Sequence, residues 1–513
     1  MVAQNSNIGN HEHPARVEWH LPDVQCQLDA LKQWIEQSAQ DGTAAHLVER
    51  GLFDGLLALG KTLFQGFLQL VGPGDAGDTV VLDDGRIVHR SDEQHAKRLL
   101  TVFGEFSVLR WVYAQREGAK FEFVPTDQRL QLPASEVSYL LQEWDQLLGI
   151  EHAFGKVREV IQTILRLKQS TDTLERTNQQ MAEASPMFRD SQGPVDLSKE
   201  GKLLVVTEDN KGIPMVRPVE EKPAGAHRSK GEKANKKQMA CIGCVYSVDP
   251  YARTPEGLVA TLFRDPDRPK EKQPQAQNKR YWAELSRELD GDEFRGQEMV
   301  FEQLQAEIET RRQPGQLLVH LSDGQASLAT DRQCYLPEDE LTIDILDLMH
   351  VMPRLWEAAH VFHAEGSGAA SQFVRERLTR ILQGNAGRVI GGLRQMAGRR
   401  GLSAVARKRL RTICNFLEKN KQRMRYDEYL QLGCPIATGV IEGACRHVIK
   451  DRMERAGMRW KVPGAQAMLN LRVIHSNGDW SEFQDFRIAF ENDWLYPNTK
   501  AFAACEWPAF QAA

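Results

Sequence analysis

The chain has no run of about 20 mostly apolar residues, the length a membrane-spanning helix needs. Its longest apolar stretch, Gly51 to Gly72, is broken by Asp54, Lys61 and Gln65. The opening MVAQNSNIGNHEHPARVEW lacks the basic start and apolar core of an export signal. No membrane partner and a cytoplasmic location are therefore expected. Also missing are GxxxxGK[ST], GxGxxG after a strand, HExxH and GxSxG, which removes the familiar ATP and nicotinamide loops, zinc proteases and serine hydrolases. Cysteine is sparse: of the eight, only Cys241 and Cys244 lie close together, and no second ligand pair accompanies them. Inside MACIGCVYSV they read as small hydrophobes of a buried strand. There is no internal repeat, heptad array or long low-complexity tract.

What is present is an ordinary globular composition, 41% hydrophobic and 26% charged, over 513 residues, too long for one compact core. The net charge of −5 hides a polarised chain. Gly366 to Arg472 holds 22 Lys and Arg against 7 Asp and Glu, a net +15, which leaves −20 for the rest. Salt screens charges over about 10 Å, so a local basic field attracts a phosphate backbone even on an acidic molecule. Solvated helix faces are the plainer reading of the same charges.

Along the chain, residues 1–75 carry two amphipathic helices, and residues 76–134 a small β module built on VVLDDGRIVHR, RLLTVFGEFSVLRWVYA and KFEFVP. Residues 135–190 read as helical. There AFGKVREVIQTILRL followed by DTLERTNQQMAEA fits a helix-turn-helix aiming Arg176, Asn178, Gln179 and Gln180 at base edges, or two helices packed on a core. After a linker, residues 200–350 alternate buried strands and helices. KLLVVTEDNKG stops at an acidic turn, and a hairpin with a basic tip, Arg217 to Lys237, leads into MACIGCVYSVD. The polar RDPDRPKEKQPQAQNKR interrupts before the GQEMVFEQLQAEIETRR helix, and QLLVHLSDGQ is a strand ending at Ser322 and Asp323. Residues 351–435 are helical and basic, residues 436–475 hold a last acidic helix, and residues 476–513 form a tail. The fold class expected is α/β, α+β overall.

Two aspartates, Asp209 and Asp323, follow buried strands, and Glu442 lies on a helix more than a hundred residues later. Strand ends at one sheet edge gather side chains in space, and carboxylate oxygens are the ligands Mg²⁺ prefers. Two such ions about 4 Å apart activate a water or hydroxyl and stabilise the leaving oxygen in phosphodiester chemistry. Singly, each Asp reads as a turn or cap residue and Glu442 as a solvated helix residue. Glu442, Arg446 and Lys450 recur at i, i+4 and i+8, one carboxylate and two cations along a shared helical face.

TGVIEGACRHVIKDRMERAGMRW, KKQMACIGCVYSVDPYARTPE, LSDGQASL and ILDLMHVMPRLWEAAHVFH resemble the Kra-type insertion-sequence transposases of bacteria, as do LLVVTEDNKGIPM and YDEYLQLGCPIATG. The resemblance runs from about residue 95 to about residue 498. It implies an RNase H-like catalytic domain interrupted by an α-helical insertion before its last acidic helix, as in Mutator-like elements. It also implies a DDE triad of Asp209, Asp323 and Glu442 holding two Mg²⁺ or Mn²⁺ ions, with double-stranded DNA as partner and a homo-oligomer assembled on it. Asp347 and His350, in DLMH, match the acidic-x-x-His element of related transposases, whose role is strand contact or positioning. Arg446 and Lys450 become phosphate contacts and Trp460 a candidate for stacking on unpaired bases, although a tryptophan of this kind also fills a core edge. Where the family has Asp-Gly-Lys-Gly, Asn210 replaces the glycine, and Asn also tolerates a left-handed turn. Pro353 falls inside an expected helix. An RNase H-like nuclease or resolvase, or a copy that binds DNA without cutting it, would carry the same residues.

Overall fold

The computed structural model describes residues 22–216, 237–268, 272–289, 291–399, 401–455 and 457–507. The fold is mixed α+β, in two compact units, Met1–Thr177 with Ser481–Ala513, and Asn178–Trp480. Among the described residues no helix is long and apolar enough to cross a membrane.

In the first unit, helices Pro22–Gln40 and Ala45–Val71 pair antiparallel. They approach closely because Gly51 and Gly55 have no side chain: a Cβ there would fall 2.4 Å from Trp34 and 2.8 Å from Leu31. Strands Thr79–Val81, Ile87–Arg90 and Tyr113–Ala114 form one small sheet, and His95–Thr101 with Gly104–Arg110 a hairpin. KFEFVP, expected as a strand, contributes only a bridge from Phe123 to Tyr113. Leu141, Val157, Ile161 and Leu174 bind helices Tyr139–Gly149, Phe154–Leu165 and Thr171–Glu183 into one core. Asn178 is buried within the last of these helices, so the expected base-reading set of Arg176, Asn178, Gln179 and Gln180 does not share one exposed face. The C-terminal stretch is no free tail. Arg487 donates to Gln142 Oε1 at 3.0 Å, and the Ala134 N–H to Glu491 at 2.9 Å.

The second unit is built on a five-stranded sheet. β1 (Leu203–Pro214) runs antiparallel to β2 (Lys237–Val248) over its whole length, and β2 runs antiparallel to β3 (Gln277–Leu285). On the other side of β1, β4 (Leu317–Ser322) is parallel to it, and β5 (Thr342–Leu346) is parallel to β4, giving the order β5-β4-β1-β2-β3. The sequence pattern does not announce β3, because its first half, Gln277 to Arg280, is polar and merges with the preceding linker. The expected basic hairpin tip lies outside the described residues except for Lys237, the first residue of β2.

Side chains alternate across a strand, so the registers sort residues by face. On one face Leu204 and Val206 pack with Cys241, Val245 and Leu318 against Val300, Phe301, Leu304 and Ile308 of helix Gly296–Arg311. Gly243 admits that helix, since a Cβ there would lie 2.7 Å from Val300. Against the opposite face lies the segment carrying Glu442: helix Gly439–Ala444, a π-helical turn Cys445–Lys450 and the short helix Asp451–Met453. Arg472 of helix Val462–Asn477 ties it down, donating to the Val448 carbonyl at 2.7 Å and to that of His447. Between β5 and this segment stand helices Leu348–Phe362, Gly368–Leu382, Ala386–Arg399, Ala404–Lys419 and Tyr426–Gln431. Pro353 sits inside the first of them. Cys241 and Cys244 are both buried and free, and being three apart on one strand they point to opposite faces, so they do not form a ligand pair.

Candidate active site

β1 does not stop at an acidic turn, as its sequence reads, but continues through Asp209 to Pro214, because β2 pairs with every residue of it. Asn210 sits in this extended stretch opposite Cys241 and donates to Gln297 Oε1 at 3.1 Å, so the left-handed turn considered for it does not form. The parallel neighbours stop earlier. His320 pairs with Val206, and Ser322 with Leu346. Continuing these registers brings Asp323 level with Asp209 on one side and with Asp347 on the other. The Asp347 N–H still donates to the Ser322 carbonyl at 2.9 Å. Asp209, Asp323 and Asp347 thus form one row across three strands, on the face against which the Glu442 segment lies.

Within this row the groups differ in what they touch. Asp347 is fully buried and its carboxylate is committed. It caps helix Leu348–Phe362 by accepting from Met349 N–H at 2.8 Å, takes the Thr438 hydroxyl, and holds His350 Nδ1 at 3.2 Å. Thr438 immediately precedes helix Gly439–Ala444, so Asp347 ties the Glu442 segment to the sheet. Asp323 makes an Asx turn with the Gln325 N–H at 2.7 Å. Asp209 accepts from the Cys445 thiol at 3.1 Å.

The Asp209 charge reaches Asp323, Glu442 and His350 alike, and His350 acts on both Asp323 and Glu442. Burial pushes the Asp323 carboxyl above its ordinary range, and the Asp209 and Glu208 charges push it further, against the pull of the Gln325 N–H and His350. Burial, then Asp347 and Asp209, raises Glu442, again opposed by His350. The hydrogen bond from Asp347 raises the His350 imidazole most, with the charges of Asp347, Asp323 and Asp209 behind it and burial opposing. As hard oxygen donors, these carboxylates suit Mg²⁺ or Mn²⁺ in chemical kind. Among the described residues no group of three or more His, Cys, Asp or Glu side chains is arranged to hold an ion as it stands.

Arg446 and Lys450 lie on the π-helical turn and are exposed; among the described residues Arg446 keeps only a long ion pair to Asp451 at 3.6 Å. A π turn holds more residues than an α turn, so the i, i+4, i+8 stripe expected from an α-helix does not run straight. It brings His447 to the surface as well. Trp460 is corrected from the candidate DNA contacts. It is 8% exposed, donates from Nε1 to the Met453 carbonyl at 3.2 Å, lies under Arg452 at 4.9 Å and is pinned by its backbone to Pro214 and Val216. No ring face is open to a base.

On the opposite face, directly behind the open row, is an ion network absent from the sequence reading. His320 is buried between Glu208, at 2.9 Å from Nε2, and Asp344, at 3.0 Å from Nδ1. Asp344 also meets Arg332 at 3.0 Å and Arg423 at 2.9 Å, and Arg423 reaches Ser322 Oγ at 2.6 Å. Burial opposes ionisation of Asp344, but His320, Arg423 and Arg332 outweigh it and hold the carboxyl at about 2. Burial likewise opposes a charge on His320, and Glu208 and Asp344 override it, raising the imidazole. Two signals for this network were available in the sequence: a histidine inside the apolar LLVHLS and an aspartate inside LTIDIL.

No family model matches the chain, and no curated protein matches it by sequence. Among solved structures it is similar to the Drosophila P element transposase strand transfer complex, at 12% identity over 68% of this chain and 80% of that one, with a TM-score of 0.23. A likeness of that size fixes neither a fold nor an activity.

Proposed function

We propose that the second unit is an RNase H-like polynucleotidyl transferase core with a helical insertion, and that the protein is an insertion-sequence transposase. It would cut DNA at its element's ends and join the freed 3′ ends to target DNA. The observation that carries this reading is the single row of Asp209 and Asp323, with Glu442 electrostatically coupled to it from the facing segment. The strand order β5-β4-β1-β2-β3, with three antiparallel strands and two parallel to the first, supports the fold assignment.

Asp209, Asp323 and Glu442 would hold two Mg²⁺ or Mn²⁺ ions. Bound there, such ions supply charge neutralisation at the scissile phosphate and a nucleophile at neutral pH. The chain's own residues do the rest. Asp347 orients His350 toward the open row, while Thr438, held by the same carboxylate, fixes where Glu442 enters. Arg446 and Lys450, exposed beyond Glu442, take the backbone phosphates on either side of the cut. The basic helices of residues 366–425 extend the contact to double-stranded DNA, and joining two ends calls for a homo-oligomer on the DNA.

The test is Mg²⁺-dependent cleavage and strand transfer on a labelled duplex carrying the element's end. Wild type is compared with Asp209→Ala, Asp323→Ala and Glu442→Ala. Loss of both reactions in each variant, with DNA binding retained, is the expected result. Cutting without joining in wild type would move the assignment to a nuclease or resolvase, and full activity in the variants would remove the site.

A further inference from the structure

Resting on the DNA-processing reading, we propose that the first unit carries a phosphate-binding cavity, centred on Lys168 and Arg176, that grips the DNA backbone. The cavity measures about 310 Å³ and is lined by Arg98, Glu136, Lys168, Ser170, Thr173 and Arg176, among others. That is space for roughly ten waters, enough for a phosphodiester group. Arg98 is spent within the protein, on Glu105 at 2.8 Å and Glu136 at 2.9 Å. Lys168 and Arg176 are exposed, and among the described residues neither enters an ion pair or a side-chain hydrogen bond. The charged groups on the cavity wall therefore sum to a net positive field with two uncommitted cations.

The wall also includes the first turn of helix Thr171–Glu183. Ser170 Oγ accepts from the Thr173 N–H at 3.0 Å and starts that helix, whose positive end adds to the field of the two cations. Arg176 belongs to the helix that its sequence recommends as a base reader. Its neighbour Asn178 is buried, while Arg176 itself turns to the cavity with Lys168. The chemistry on offer is therefore recognition of phosphate, which carries no sequence information. Phosphate is available free or in a polymer. The two uncommitted cations are long, exposed side chains around an open cavity, an arrangement suited to a backbone that brings further contacts of its own, and the proposal commits to nucleic acid.

The experiment uses the full chain and a short duplex of arbitrary sequence, with affinity measured across a salt series. Lys168→Gln/Arg176→Gln is compared with wild type and with a charge-matched control, Arg50→Gln/Lys120→Gln, at exposed positions of the same unit. Each lost phosphate contact makes the slope of log affinity against log salt shallower by about 0.9. The double variant is expected to lose roughly 2 from the slope, and the control nothing. All four positions are exposed, so folding is not at stake, and a matching melting temperature verifies it. A variant slope equal to that of wild type overturns the proposal while leaving the transposase reading intact. The same holds if the variant keeps the wild-type slope but loses thermal stabilisation by inorganic phosphate, which assigns the cavity to free phosphate. Wild type that binds no duplex at all removes both readings together.

Discussion

Glu208 and Asp209 are adjacent in sequence and opposite in circumstance. Glu208 faces the side of the sheet where the acids are paired: His320 lies between Glu208 and Asp344, Arg332 and Arg423 meet Asp344, and Asp344 ionises far more easily than an ordinary carboxyl. Asp209 faces the side where Asp323 and Glu442 are pushed the other way, first by burial and then by neighbouring charges, Asp209 and Glu208 on Asp323 and Asp347 and Asp209 on Glu442. The same strands thus carry Glu208 and Asp344 in ion pairs on one face and, on the other, Asp209 and Asp323, which enter none among the described residues. Charge completed inside the protein is architecture, whereas the carboxylates of the other face are the ones to which the proposed function assigns metal. The closed network also stiffens the open row, since it grips β1, β4 and β5 within a few residues of Asp209, Asp323 and Asp347. Arg423, just after helix Ala404–Lys419, joins the basic helical region to that grip.

The largest effects are expected where the contrast is sharpest. Asp323→Asn or Glu442→Gln should lower strand cleavage by on the order of a thousandfold in a single-turnover assay, without weakening duplex binding. On the closed face the corresponding change strikes folding instead. Removing one partner from a buried ion cluster costs about 3–5 kcal/mol, so His320→Leu should shift the denaturant midpoint strongly. Equal stability of that variant and wild type would erase the distinction between the two faces.

A smaller effect separates the faces by pH. A carboxyl raised in the folded state, such as Asp323, stabilises the protein below its unfolded value of about 4 and loses that contribution as pH rises through the folded value. Asp344, lowered to about 2, behaves in reverse: its contribution is present above the unfolded value and is lost as pH falls toward 2. In the absence of divalent cations, Asp323→Asn should therefore melt higher than wild type at neutral pH. Mg²⁺ at a hundredfold its dissociation constant should restore about 2.7 kcal/mol to wild type and leave the variant unmoved. The smallest expected effect is at Cys445, whose thiol touches Asp209. Cys445→Ala removes one weak hydrogen bond and should reduce cleavage by less than about tenfold, a loss of at most roughly 1.4 kcal/mol.

The open row was legible in the sequence because two of its members follow apolar β-rich runs, LLVVTE and LLVHLS, that a periodicity reading recovers. The placement of Asp209 within a longer strand was not legible. It depends on pairing with β2, a long-range contact that leaves no local mark on Asp209 to Pro214. β3 leaves no pattern for a related reason: Gln277 to Arg280 are polar, and only their neighbours in the sheet make them a strand. Asp347 was seen beside His350, but its second partner, Thr438, is 91 residues away, and the bond between them is a fact of the fold. Trp460 went the other way. Its aromatic ring invited a stacking role, and burial against Arg452 and Met453 decided it.

The central claim is that the open row, and not the closed one behind it, receives divalent metal. Mn²⁺ binding followed by electron paramagnetic resonance, on wild type, Asp209→Asn, Asp323→Asn, Glu442→Gln and Glu208→Gln, tests it most directly. The account predicts bound Mn²⁺ in wild type, its loss in Asp209→Asn, Asp323→Asn and Glu442→Gln, and its retention in folded Glu208→Gln. Mn²⁺ bound equally by wild type and those three variants would contradict it.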